Sequence, residues 1–251
     1  MSTEQRRYRL AGALWAGLHW TLTAAVLGAA LGLSALRLAL PMLDRRPAEV
    51  ATLASKALGY RVEFASLATG MRGVTPQLEL RAASLVGDDG SVTRVAALRL
   101  RFDWTASLLA RSPRLSELEI DGLRLTVLRL PDGRWQVAGM APGQAAGGLK
   151  SWLLVQPLVR LRAASVEVAD AREPARALLL EPATATLQRR QGRHWLDLQV
   201  GVGGAASGTF RLRAEIRRLS NDFSESEGRA YVTARELTGA NVPFGRWLFG
   251  G

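Results

Sequence analysis

The chain of 251 residues contains no cysteine and only two histidines. The first absence excludes disulfides, thiol nucleophiles and thiolate metal sites together. The second leaves His19 inside an apolar run and His194 alone between Arg193 and Trp195. Neither a histidine-based metal centre nor a Ser-His-Asp arrangement can be assembled from them. An intramembrane proton relay at His19 would need a second titratable group, and the run around it has none. Gly201–Gly208 is rich in glycine but lacks the Gly-Lys-Ser/Thr ending of a phosphate loop, and Phe210-Arg211-Leu212-Arg213 after it has strand rather than helix periodicity. It reads as a hairpin turn. The carboxylates Glu117, Glu119 and Asp121 fall on one strand face, where they alternate with apolar neighbours and pair with arginines across a sheet. The expectation is no enzyme, no catalytic residue, no metal and no cofactor.

Acidic residues are also in deficit, 22 against 33 basic ones, which gives a formal net charge of +11. A nucleic-acid partner would account for that sign. However, the arginines alternate with apolar residues instead of clustering with exposed aromatics, the pattern of one solvated sheet face. Acidic lipid headgroups or an acidic envelope surface explain the charge equally well, and no nucleic acid is expected.

What the chain does have is an uninterrupted apolar run near its start. From Leu10 to Leu36 there is no Asp, Glu, Lys or Arg, and the run exceeds the ~20 residues a helix needs to cross a bilayer core. A signal peptide would have an apolar core of only ~7–15 residues, and a helix buried in a soluble core would keep a polar face. Arg6, Arg7 and Arg9 precede the run while Arg37, Arg45 and Arg46 follow it, so the positive-inside bias favours the N-terminus in the cytoplasm. Tyr8, Trp15 and Trp20 place amphipathic rings towards one headgroup layer. Pro41 to Asp44 is expected to end the membrane helix. Arg46 to Leu58 reads as a short amphipathic helix, with Pro47 in its first turn and Gly59 past its end.

From Tyr60 the period changes to two. Tyr60, Val62 and Phe64 alternate with Arg61 and Glu63, Leu78 and Leu80 with Glu79 and Arg81, and Leu98, Leu100 and Phe102 with Arg99, Arg101 and Asp103. This predicts strands with one apolar and one polar face, separated by turns at Asp88-Asp89-Gly90 and Pro131-Asp132-Gly133. Trp104 to Leu109 reads as a short helix or turn. Further strands are expected over 158–168, 177–188, 195–202, 208–218 and 229–237.

The alternation slips in parity across Gly122, and an extra residue absorbed in a bulge, or a kink, at Asp121-Gly122 would reconcile the two halves. The same slip recurs within Leu80–Leu85 and Leu161–Val166. These segments share the sequence LRAAS at Leu80–Ser84 and Leu161–Ser165; either a unit of about 80 residues is duplicated or the match is coincidental.

The order of membrane span, ALGYRVEFASLATGMRGVTPQLELRAASLVGDDG and then RVAALRLRFDWTASLLARSPRLSELEIDGLRLTVLRLPDGRWQ resembles the start of the AsmA-like proteins, in particular the YhdP branch. Met71 stands near a position where that pattern has Trp. The resemblance implies a Gram-negative inner-membrane anchor carrying a long, twisted antiparallel periplasmic sheet, apolar on its concave face, similar to the chorein-type bridges that move lipids. It also implies a much longer protein, so the chain is read as an N-terminal portion or a shortened relative, and the apolar tail PFGRWLFGG fits that reading.

The fold expected is therefore mainly β, an N-terminal transmembrane helix followed by an open-groove sheet with a few short helices. Its plan is a cytoplasmic tail (1–9), transmembrane helix (10–40), first periplasmic β segment (41–140), loop or linker (141–156) and second β segment (157–251). The candidate groove residues are Leu78, Leu80, Leu98, Leu100, Phe102, Leu123 and Leu125. The expected partners are phospholipid acyl chains, the inner membrane and other envelope proteins. Phospholipid transport between membranes or outer-membrane maintenance is the function implied; an anchored scaffold for envelope assembly, without lipid conduction, is the alternative. With helix available only at 46–58, 104–110 and 149–155, little is left to cover the apolar face.

Overall fold

A computed structural model of the chain describes residues 40–58, 61–86, 92–111, 114–131, 135–137, 153–202, 208–218 and 227–236, with 19–20, 23, 26–28, 30–35 and 37–38 of the N-terminal helix. Residues 1–18, most of the linker, Asp88-Asp89-Gly90, Asp132-Gly133 and the tail from 237 onward lie outside the described residues.

Val26–Leu43 is an 18-residue helical stretch long and apolar enough to cross a membrane. It continues through Pro41 to Leu43, three residues past the expected boundary at 40. Helix α1 (Pro47–Leu58) follows, with Arg46 bonded to Glu49 at 3.1 Å beside its first turn. Its Ser55 hydroxyl accepts the Val62 amide at 2.9 Å, which ties the helix to the first strand.

The rest is strand: β1 (Arg61–Glu63), β2 (Ser66–Arg72), β3 (Thr75–Val86) and β4 (Val92–Phe102), then helix α2 (Trp104–Ala110), then β5 (Leu115–Asp121), β6 (Arg124–Arg129), β7 (Trp135–Val137), β8 (Leu158–Asp170), β9 (Glu173–Arg190), β10 (Arg193–Val202), β11 (Gly208–Arg218) and β12 (Glu227–Arg235). Helix α2 starts where Asp103 accepts the Ala106 amide at 2.9 Å and the Thr105 hydroxyl at 2.7 Å, an N-cap that satisfies a first-turn donor. Every expected strand is present, β9 starting four residues before 177 and ending two after 188, and β2 is a strand the alternation did not signal.

All twelve strands form one sheet in the order β1-β3-β4-β5-β8-β9-β10-β11-β12, with β2 continuing β1 along β3 and β6 continuing β5 between β4 and β8. The two β segments are thus joined edge to edge through β5, β6 and β8. This junction departs from the expected all-antiparallel ladder, because β5 and β6 both run parallel to β8. The chain turns back through β7, antiparallel to β6, and crosses again before β8, so β8 starts from the same end as β5. Parallel neighbours require such a crossover.

The parity slip has a single structural cause. Gly122 adopts φ +63, and the matching alanines of the two LRAAS segments adopt φ 48 (Ala82) and φ 47 (Ala163). No extra residue is absorbed between β4 and its partner: Leu98 faces Ile120 before the slip and Arg94 faces Arg124 after it, in one continuous register. Ala82, Ala96, Gly122 and Ala163 therefore lie in line across β3, β4, the β5–β6 junction and β8. The line continues to the cis Glu181-Pro182 bond of β9 and the register shift at Val200–Val202 of β10. Strands β3 and β4, the β5–β6 pair, β8 and β9 change parity on one transverse crease, while β10 keeps its parity and shifts register by one residue against β9 there, so the apolar face remains one face. The LRAAS copies share local structure, with the second alanine buried (Ala83 and Ala164) in both, although their strands have different pairing: β3 antiparallel to β4, β8 parallel to β5 and β6.

Candidate functional site

One side of the sheet is apolar from edge to edge. On β3 and β4, Leu78 faces Leu100 and Leu80 faces Leu98; Leu98 and Leu100 face Ile120 and Leu118 of β5, and Phe102 faces Leu115. Val159 and Leu161 of β8 extend the row from Leu118 and Ile120, followed by Leu187 and Ala185 of β9, Leu196 and Leu198 of β10, Leu212 of β11 and Val232 of β12. Beyond the crease, Leu123 packs against both buried clusters, Leu80-Ala83-Val95 and Ala164-Ala183-Val200. Leu125, two residues on, is paired with Val166.

The structure thus brings all seven residues singled out from the sequence to one side. It adds Leu118, Ile120, Leu161, Leu187, Leu196, Leu198 and Leu212, which the alternation in 115–121 and 158–216 already signalled. Leu118 is the most enclosed, at 1% exposure. The others are mostly half-buried, shielded by neighbours on adjacent strands.

Among the described residues little helix is available to cover this side. Helix α2 has no buried residue and leaves Leu108 and Leu109 exposed. The helical residues 153–155 lie by the β10 end, where His194 donates from Nε2 to the Leu154 carbonyl at 3.0 Å, since a carbonyl can only accept. The N-terminal helix reaches the other edge: Leu40, itself buried, accepts the Thr69 hydroxyl at 2.8 Å through its carbonyl. Thr69 is opposite Leu78, so the end of the apolar helix abuts the start of the apolar row.

The opposite side is polar and laced with ion pairs, as the spacing of Glu117, Glu119 and Asp121 predicted. Glu79 binds Arg81 at 2.8 Å and Arg99 at 3.5 Å; Arg99 also binds Glu119 at 2.7 Å, and Glu119 faces Arg162 at 3.7 Å. Glu117 bridges Arg101 and Arg160, the latter at 2.7 Å. The Arg81 hydrogen bond holds the Glu79 carboxyl below its usual range against partial burial, with Arg99 adding to it. Burial opposes the Arg99 charge, but hydrogen bonding to Glu119 and the charge of Glu79 outweigh it and raise its pKa. Asp197 is likewise lowered, chiefly by the Arg211 fork at 2.9 and 2.7 Å.

Among the described residues, two hollows open on this polar side. One, of about 880 Å³, lies over β9 to β12 and includes Trp195, Asp197, Arg213 and Tyr231; the other, of about 700 Å³, lies on the crease. Their linings combine arginines with small Ala, Ser and Thr residues. Among the described residues no cluster of His, Asp and Glu could hold a metal ion.

No curated protein and no solved structure matches the chain. A family model does, that of the YhdP protein, over residues 4–244. A helix able to span a membrane, followed by a long sheet with one apolar side, fits that assignment. The chain belongs to the YhdP protein family.

Proposed function

We propose that this chain is an inner-membrane-anchored periplasmic module whose apolar sheet side carries phospholipid acyl chains, in transport between membranes or outer-membrane maintenance. The single observation that carries the reading is the unbroken apolar row from Leu67, opposite Leu80 on β3, through Leu100, Leu118 and Leu198 to Val232. A side of this extent, which the described helices leave largely uncovered, is favourable only when something apolar lies on it. The contact between Leu40 and Thr69 supports entry from the membrane, because it sets the helix end against the row. The eight inter-strand steps of the main strand path, at ~4.8 Å each, extend only about 38 Å, so this length of sheet carries one stage of a path. The chain's own residues supply no chemistry to the lipid; they shield its tails from water.

A photo-crosslinking residue at Leu100 or Leu198 should capture phospholipid in cells, and one at Arg99, on the polar side, should capture much less. Equal capture on both sides, or strong protein adducts with no lipid at either leucine, would instead establish the scaffold reading.

A further inference from the structure

Independently of the acyl-chain reading, and on the opposite side of the sheet, we propose that the crease holds a binding site for a single phosphate group. Arg94 of β4 and Arg124 of β6 are directly cross-strand partners. Like charges in that position repel each other, and sheets usually place a carboxylate between them, as Glu117 is placed between Arg101 and Arg160. Neither Arg94 nor Arg124 has an ion pair among the described residues. Ser84 is the register partner of Arg94, and Ser165 that of Arg124, so one row across four strands reads Ser-Arg-Arg-Ser. The two serines occupy the same position of the two LRAAS segments, two residues after the left-handed alanines. This coincidence makes the row symmetric about the arginine pair.

All four side chains line the hollow of about 700 Å³, whose floor is Ala82, Ala96, Gly122 and Ala163. The small floor gives the guanidinium groups room above the backbone. Two planar forks and two hydroxyls offer more donors than the two oxygens of a carboxylate can use, and they suit a tetrahedral oxyanion. Glu181 lines the far end of the hollow and disfavours a second anionic group there, which limits the site to one phosphate. That phosphate belongs either to a lipid headgroup or to a soluble phosphate, and the two sources share this chemistry.

The test is arginine footprinting with phenylglyoxal on the full chain in maltoside micelles, in phosphate-free buffer. Arg94 and Arg124 should be modified at least about threefold more slowly when inorganic phosphate or added phosphatidylglycerol is present at about twice its dissociation constant, while Arg229 and Arg235 change little. Protection by phosphatidylglycerol but not by inorganic phosphate would identify a lipid headgroup as the source; protection by inorganic phosphate would identify a soluble one. R94K should weaken protection of Arg124, because lysine keeps the charge and loses the fork, and the S84A/S165A pair should weaken it too. The proposal is overturned if neither probe protects, if sodium chloride at matched ionic strength protects equally, or if Arg229 and Arg235 are protected to the same extent.

Discussion

A Cβ on Gly122 would lie 2.7 Å from the Ala96 Cβ, closer than side chains approach one another. Gly122 also has φ +63, a region costly to residues with a side chain, by about 1–2 kcal/mol. Gly73 shares that conformation, with φ +62, but has nothing within 4 Å of its missing Cβ. Comparing the two separates strain from contact. Gly73→Ala should cost about 1 kcal/mol in denaturant unfolding, and Gly122→Ala about 2–3 kcal/mol because overpacking adds to the backbone term. Equal losses would mean that the sheet yields freely at the crease.

The Glu79–Arg81 pair makes a prediction about pH. The folded-state pKa of Glu79 is depressed below its ordinary value of 4.5, first by the Arg81 hydrogen bond. A depressed carboxylate contributes stability above the unfolded pKa and loses it as pH falls through the folded one. Arg81→Gln should therefore lower the melting temperature at pH 6 to 7, and the gap to wild type should close as pH falls below 4.5. The Arg81 side chain is two-thirds exposed, at 66%, so solvent screening keeps the gap small. A gap that persists unchanged to pH 3 would assign the effect to packing of the arginine stem instead.

The periodicities of the sequence were enough to place both short helices and most strands, because period-two alternation is written into each strand separately; β2 (Ser66–Arg72), whose SLATGMR has no such alternation, was not among them. The location of the kink was legible as well: three parity slips fall at Ala82, Gly122 and Ala163, all with positive φ. What was not legible is that they are collinear, and that the register of β4 with β3, β5 and β6 runs through the crease without an extra residue, since alignment depends on register between strands, and register is a tertiary property. The parallel pairing of β5 and β6 with β8 was hidden for the same reason. Alternation fixes which face a side chain takes, not which neighbour the strand joins. The candidate apolar residues share one side, but the hollows on the polar side could not be foreseen from alternation, which carries no information about side-chain height.

Orientation in the membrane can be tested simply because the chain has no native cysteine. Single substitutions Ser2→Cys and Asp132→Cys, exposed to an impermeant thiol reagent in spheroplasts, should label at position 132 and not at position 2. The bias of Arg6, Arg7 and Arg9 on the N-terminal flank is the reason. Labelling of Ser2→Cys while the inner membrane is sealed would reverse the topology and remove the periplasmic assignment.

The apolar row makes the most demanding prediction, because it orders positions along a path. Leu67 is on the edge next to Thr69 and the helix end, Leu100 is further in, and Leu212 is near the far edge on β11. Leu100 is half-buried, unlike Leu118 at 1% exposure, so a charge there is expected to leave the sheet folded. Leu100→Asp should interrupt an acyl path, since a carboxylate among lipid tails costs several kcal/mol unless it is neutralised or reaches water. With the photo-crosslinker at Leu67, lipid capture should remain near the wild-type level; with it at Leu212, capture should fall by at least about tenfold, which 1.4 kcal/mol already suffices to produce. Leu100→Ala, which removes bulk without adding charge, should leave both captures largely intact. Equal loss at Leu67 and Leu212 would indicate a general disturbance of the sheet, and undiminished capture at Leu212 would mean that lipid reaches β11 by some route other than the row.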